Sequence, residues 1–250
     1  MSDDALVLLP GLNCSPALWS SLDVGSPITP VLTEPTLDGQ VDRLLDELPA
    51  RFALAGLSLG GIVAMALLRR APERVSRLCL MSTTSRPPTS SQYAMWARQR
   101  AALAAGASAR DLQRELKAAL LSPYARAASP HLVEVALAMA DDIGEEVLDA
   151  QLAMQATRVD ERPGLTRIRC PTLIISGRDD ALCRPERHAE MHALIAGSDL
   201  VELENCGHLS PLEQPAAIGS LLRRWSEPGL SAPDRERVGA APNGVRPGAP

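Results

Sequence analysis

The chain has 250 residues, 46% hydrophobic and 22% charged, which suits one globular domain with room for an insertion. A net charge of −5 argues against a phosphate-binding surface, and 2% aromatics leaves few rings to stack on single-stranded nucleic acid. Five cysteines, odd in number and without a C-x-x-C pair, make neither a disulfide framework nor a zinc site. The start, MSDDALVLLPG, carries acids where an export signal carries bases, and its apolar run is too short to span a membrane. The expectation is a cytoplasmic protein without metal, organic cofactor, nucleic-acid partner or membrane span.

In chain order, residues 6–9 read as a buried strand ended by Pro10-Gly11. Residues 28–32 make a weaker strand and 41–48 a short amphipathic helix. A strand over 52–55 leads into a helix over 60–70, and 75–81 is the next strand. Residues 172–176 and 200–203 are strands again, and 214–225 is a closing helix. Strands that read as unbroken apolar runs, alternating with helices, predict an α/β fold: a doubly wound, mostly parallel sheet of about six strands. Between them, 86–169 shows helical periodicity without strands, with helices expected over 92–105, 109–121, 131–142 and 145–157. Ser108 followed by Asp111 is a capping-box pattern. The expected division is a core of 1–85 and 166–226, an inserted helical cap of 86–165, and a disordered tail of 227–250. That tail holds five prolines and four glycines.

The strongest chemical signal is Gly56-Leu57-Ser58-Leu59-Gly60, between a strand and a helix. Such a turn requires small residues around the serine, exposes its hydroxyl and sets it at a helix N-terminus. A serine is a weak nucleophile until a base takes its proton. Of the four histidines, His208 lies in a loop after a strand, where open α/β sheets place their sites. His188 and His192, four apart beside Glu186 and Glu190, read as a solvated helix face rather than a metal site, and His131 as a structural residue at a helix start. The base needs an orienting carboxylate, and Asp179 and Asp180 both follow the strand over 172–176.

These markers together (Leu-Leu-Pro-Gly, the Gly56–Gly60 turn, Gly177-x-x-Asp180, and Gly207-His208 with Glu213 and Pro215 behind it) resemble the α/β-hydrolase superfamily over roughly residues 5–225. Within it the chain looks most like small capped carboxylesterases and the similar pimeloyl-ester, enol-lactone and carbon–carbon-bond hydrolases. The family spacing selects Asp180 as the acid, giving catalytic Ser58, Asp180 and His208, and assigns the oxyanion hole to the backbone N–H groups of Leu12 and Leu59. Members usually carry His-Gly at the first turn, where this chain has Pro10-Gly11, and a hairpin before it, which is missing here. The edge strand is then expected at 28–32. The resemblance implies a serine hydrolase of small, mostly apolar carboxylic esters, lactones or thioesters. The alternatives are a carbon–carbon hydrolase, a cofactor-free oxygenase or a lyase on the same residues, and a non-catalytic binding module of the same fold.

Several residues carry two readings. Met95, Trp96, Met139 and Met154 either line a substrate pocket or face the core from the cap. The scarcity of aromatics predicts a pocket walled by leucine, methionine and alanine, with Trp96 its main aromatic. Arg98, Arg100, Arg158 and Arg162 either meet an acidic substrate or an acyl-carrier partner, or are solvated arginines, the commoner case. Cys14 is expected to be a small buried residue rather than a reactive thiol, Cys206 is rejected as a nucleophile, and Trp19 is expected in the core.

Overall fold

The computed structural model describes residues 4–226; the tail expected over 227–250 lies outside the described residues. Five strands form one sheet: β1 (Ala5–Leu9), β2 (Phe52–Leu57), β3 (Val75–Met81), β4 (Thr172–Gly177) and β5 (Asp199–Leu203). They lie in the order β1-β2-β3-β4-β5 and every pairing is parallel. Successive side chains point to opposite faces, and the packing follows this alternation. Val7, Leu9, Leu54, Leu80 and Ile174 enter one apolar cluster. Leu8, Ala55, Cys79, Met81 and Ile175 enter the other. Both faces are therefore covered, which is why the strand sequences show no polar alternation.

The weak strand expected over 28–32 is in the right place but shrinks to one bridge. Ile28 pairs with Val7 at the edge beside β1, its N–H donating to the Leu6 carbonyl at 2.8 Å and its carbonyl accepting from Leu8 at 2.9 Å. Pro27 and Pro30 flank it and have no N–H for a ladder.

Helices cover the two faces. α1 (Leu37–Glu47) starts four residues earlier than expected, because Thr36 caps it by accepting the Gly39 N–H. With α2 (Leu59–Arg70) it contributes Leu37, Val41, Leu44, Ile62 and Val63 to the first cluster. Between β3 and β4 the described chain holds helices only: α3 (Ser90–Ala104), α4 (Ala109–Leu120), α5 (Pro123–Ala128), α6 (His131–Ala156) and α7 (Arg162–Leu165). The Ser108–Asp111 capping box starts α4. The two helices expected over 131–142 and 145–157 run on as α6, kinked at Gly144, whose φ of 74° a helix interior does not allow. After β4 come α8 (Pro185–Leu194), then α9 (Ser210–Glu213) and α10 (Pro215–Ser226). Ile218, Leu222 and Trp225 of α10 join Trp19 in the second cluster.

Glycine is required where β2 turns into α2. A Cβ on Gly60 would lie 2.2 Å from the Leu9 carbonyl oxygen, and one on Gly56 would lie 2.3 Å from that of Gly60. The helix thus starts directly against β1, and the residue between them has no freedom to turn inward.

Candidate active site

Strained backbone gathers at the C-terminal ends of the strands. Asn13, Ser58, Ser82 and Asn205 all have positive φ without being glycine, and they follow β1, β2, β3 and β5. Ser58 has φ 54° and ψ −112°, a conformation that costs on the order of 1–3 kcal/mol and persists only under outside restraint. That restraint is visible. The Ser58 N–H donates to the Met81 carbonyl at 2.9 Å, and its carbonyl accepts from Ile62 N–H at 3.1 Å and Thr83 Oγ1 at 2.7 Å. Ser58 is half-buried at the floor of a cavity of about 380 Å³, which His208 also lines.

His208 and Asp180 form a buried pair. Nδ1 of His208 lies 3.0 Å and 2.9 Å from the two carboxylate oxygens of Asp180. Only a protonated Nδ1 can bond a carboxylate, so the neutral ring keeps its lone pair on Nε2. Asp180 Oδ1 also accepts the N–H groups of Leu182 at 2.9 Å and Cys183 at 2.8 Å. Burial pushes the Asp180 carboxyl up, but the imidazole and those two N–H groups outweigh it and hold the carboxyl below its ordinary range. Asp179, the competing aspartate, has no side-chain hydrogen bond or salt bridge among the described residues. Its backbone N–H donates to the Cys206 carbonyl at 2.8 Å.

The loop that carries His208 is fixed from behind. Glu213 accepts the Gly207 N–H at 3.0 Å and the Ser122 N–H at 3.1 Å. Ser122 Oγ donates to the Asn205 carbonyl at 3.0 Å, and Leu209 N–H to the Leu120 carbonyl at 3.0 Å. The residues between α4 and α5 are thereby bound to the histidine loop. A second set of bonds ties the helices to the turn after β1. The Asn13 N–H donates to Gln151 Oε1 at 2.8 Å, and its Nδ2 to the Ala109 carbonyl at 3.0 Å. Leu12, beside Asn13, lines the cavity, and Leu59 opens α2, where its N–H has no carbonyl one turn earlier to meet.

The pocket residues divide. Met95 and Trp96 line the cavity. Met139 and Met154 do not: both are fully buried, each in one of the two sheet clusters. The wall is leucine-rich, with Leu12, Leu57, Leu116 and Leu120, but it has no alanine and includes Gln92, Gln155 and Arg158. Arg158 is not a solvated arginine; it is 7% exposed. Arg98 is exposed, while Arg100 and Arg162 are paired with Asp149 and Asp160. Cys14 is buried as expected, its thiol pushed up to about 12 by burial. Burial likewise raises Cys206. Neither is a thiolate at neutral pH.

The sequence reading of His188 fails as well. It is 0% exposed, not solvated. Its Nε2 accepts the Thr83 N–H at 3.1 Å, and Thr83 in turn holds the Ser58 carbonyl. Four-residue spacing to His192 misled because α8 packs one histidine inward; His192 bonds Ser198 instead. No cluster of metal-ligating side chains occurs among the described residues, and no described helix is long and apolar enough to cross a membrane.

Comparison with known proteins gives the family. The family model described as "Alpha/beta hydrolase family" matches residues 6–220. A pimeloyl-[acyl-carrier protein] methyl ester esterase of Aromatoleum aromaticum is 32% identical over 248 residues, covering 89% of this chain and 98% of the relative. Among solved structures, a thermophilic esterase from Thermogutta terrifontis superposes with a TM-score of 0.77 at 25% identity, covering 89% of each chain. The enol-lactonase from Burkholderia xenovorans gives 0.75 at 21% identity, covering 90% of this chain and 92% of that one, a likeness of fold. The chain belongs to the alpha/beta hydrolase family and is a hydrolytic enzyme of esterase type.

Proposed function

We propose that this alpha/beta hydrolase cleaves small carboxylic esters through an acyl-enzyme on Ser58, with His208 as base and Asp180 as the acid that orients it. The observation that carries the reading is the shared cavity: Ser58, on a strained turn, and His208 both line it, and Nδ1 of His208 is bonded to a buried carboxylate.

In this reading Nε2 of His208 takes the Ser58 proton as Oγ attacks the acyl carbon. The carbonyl oxygen becomes an oxyanion between the N–H groups of Leu12 and Leu59, each worth about 3–4 kcal/mol to the transition state. Protonated His208, stabilised by Asp180, gives its proton to the leaving alcohol oxygen as the C–O bond breaks. A water molecule then loses a proton to His208 and attacks the acyl carbon, and His208 returns that proton to Ser58 Oγ as the acyl–Oγ bond breaks and the acid leaves. We further propose that the segment from α3 to α7 acts as a cap over the site, and that the leucine-rich wall receives the apolar part of the substrate. The relative from Aromatoleum aromaticum supports an acyl chain ending in a methyl ester, with an acyl carrier as one form of the remaining group.

The test is hydrolysis of p-nitrophenyl acetate and butyrate. Ser58→Ala and His208→Ala are each expected to lose at least about 10³-fold in kcat. A Ser58→Ala variant with wild-type turnover sinks the mechanism.

A further inference from the structure

The cavity over Ser58 has a cationic side that ester cleavage itself does not require. Three arginines line it (Arg86, Arg158 and Arg187) and no aspartate or glutamate does. Arg86 is committed to Glu190 by two bonds of 2.8 Å and 2.9 Å, and Arg187 is half-buried on α8. Arg158 is different. Its guanidinium is buried beneath the Trp96 ring, 5.2 Å from the ring centroid. Its protein acceptors are two neutral amide oxygens, Gln155 Oε1 at 2.9 Å from Nη1 and Gln92 Oε1 at 3.2 Å from Nη2. Nε is buried with no acceptor among the described residues.

A guanidinium has five N–H donors and stays charged at any physiological pH. Burying such a charge is costly unless an anion meets it, so buried arginines are ordinarily paired. This chain supplies carboxylates freely to arginines elsewhere in the helical segment: Asp149 to Arg100, Asp160 to Arg162, and Glu134 and Asp141 to Arg110. Glu161, three residues after Arg158, is turned to Arg69 instead. Glutamine rather than glutamate stands at both contacts of Arg158, which fixes the guanidinium plane without neutralising it. The missing anion is then a part of the substrate, entering through the cavity that Arg158 shares with Ser58.

We propose that Arg158 binds a carboxylate of the substrate, so that the preferred substrates are anionic esters, the half-esters of dicarboxylic acids, with the free carboxylate at the end remote from the scissile bond. The apolar wall between would take the methylene chain. This rests on the proposed hydrolytic role of Ser58 and adds to it a substrate class.

The test compares monomethyl glutarate, adipate, pimelate and suberate with their dimethyl diesters, following acid release by pH-stat. The wild-type enzyme is expected to favour the best half-ester over its diester by at least about ten-fold in kcat/KM, the scale of one charge-assisted hydrogen-bonded contact. In Arg158→Met that ratio should collapse toward one, through KM. Gln155→Glu keeps the arginine but places an internal carboxylate beside it, and should abolish the preference as well, which separates lost charge recognition from damaged packing. Fluorophosphonate labelling of Ser58 is measured in every variant. Labelled wild-type enzyme that prefers diesters, or that turns over no half-ester, overturns the anionic substrate class alone. Absence of both labelling and turnover overturns the Ser58 reading.

Discussion

His188 should make the fold acid-sensitive over a defined interval. The ring is fully buried, and Nε2 must stay unprotonated to accept the Thr83 N–H. Burial lowers its pKa from 6.5 to about 4; His208 acts in the same direction, while Asp180 and the Arg184 backbone oppose it only in part. Between those two values the unfolded chain binds a proton that the native ring refuses. Stability from this group is therefore complete above about pH 6.5 and is lost progressively as pH falls toward 4. At about 1.4 kcal/mol per pH unit the loss amounts to about 3 kcal/mol. His188→Gln supplies a side-chain oxygen that can accept the same N–H and does not titrate. Urea unfolding of both proteins at pH 7.5 and pH 4 cancels the carboxylates common to them. The stability of wild type relative to the variant should fall by about 3 kcal/mol across that range. A difference that stays constant with pH would refute the claim that His188 is held neutral.

Three further outcomes follow from the site. Asp180→Asn replaces an obligate acceptor by an amide that can donate to Nδ1, turning the imidazole to the wrong tautomer; kcat should fall by about 10³–10⁴-fold with KM little changed, read by steady-state kinetics. Glu213→Gln removes an acceptor oxygen from the N–H groups of Gly207 and Ser122, so His208 loses its fixed position and kcat should drop about 10- to 100-fold. Gly60→Ala drives a Cβ to 2.2 Å from the Leu9 carbonyl and should cost more than about 3 kcal/mol, whereas Gly144→Ala meets no atom within 4 Å and costs only the strain of its backbone (φ 74°, ψ 171°), on the order of 1–3 kcal/mol; urea midpoints compare the two.

What the sequence revealed was local chemistry. The Gly56–Gly60 turn needs five consecutive residues with small ones at fixed places, so Ser58 and its flanking strand and helix are legible together. Asp180 and His208 each follow a strand within a few residues, and the parallel sheet brings all such loops to one edge. Long-range partnership was not legible. Whether Arg158 meets a carboxylate or two glutamines depends on how α3 and the end of α6 cross, and periodicity has no information on that. Met139 and Met154 sit on a helix apolar over much of its surface, so nothing in their spacing distinguishes the core from the cavity. The neighbours Glu186, Arg187 and Ala189 are polar or small and suggest a solvated face, yet α8 packs on β4 and β5 and buries His188 together with Met191. Ile28 is the reverse case: its two flanking prolines, plain in the sequence, limit the edge strand to a single bridge.

The central claim is that Ser58 carries the acyl group. Digestion and mass analysis after a fluorophosphonate probe measures this most directly. A single adduct on the peptide containing Ser58, lost in Ser58→Ala and strongly slowed in His208→Ala, is the predicted result. An adduct on another residue, or an undiminished labelling rate without His208, would contradict it.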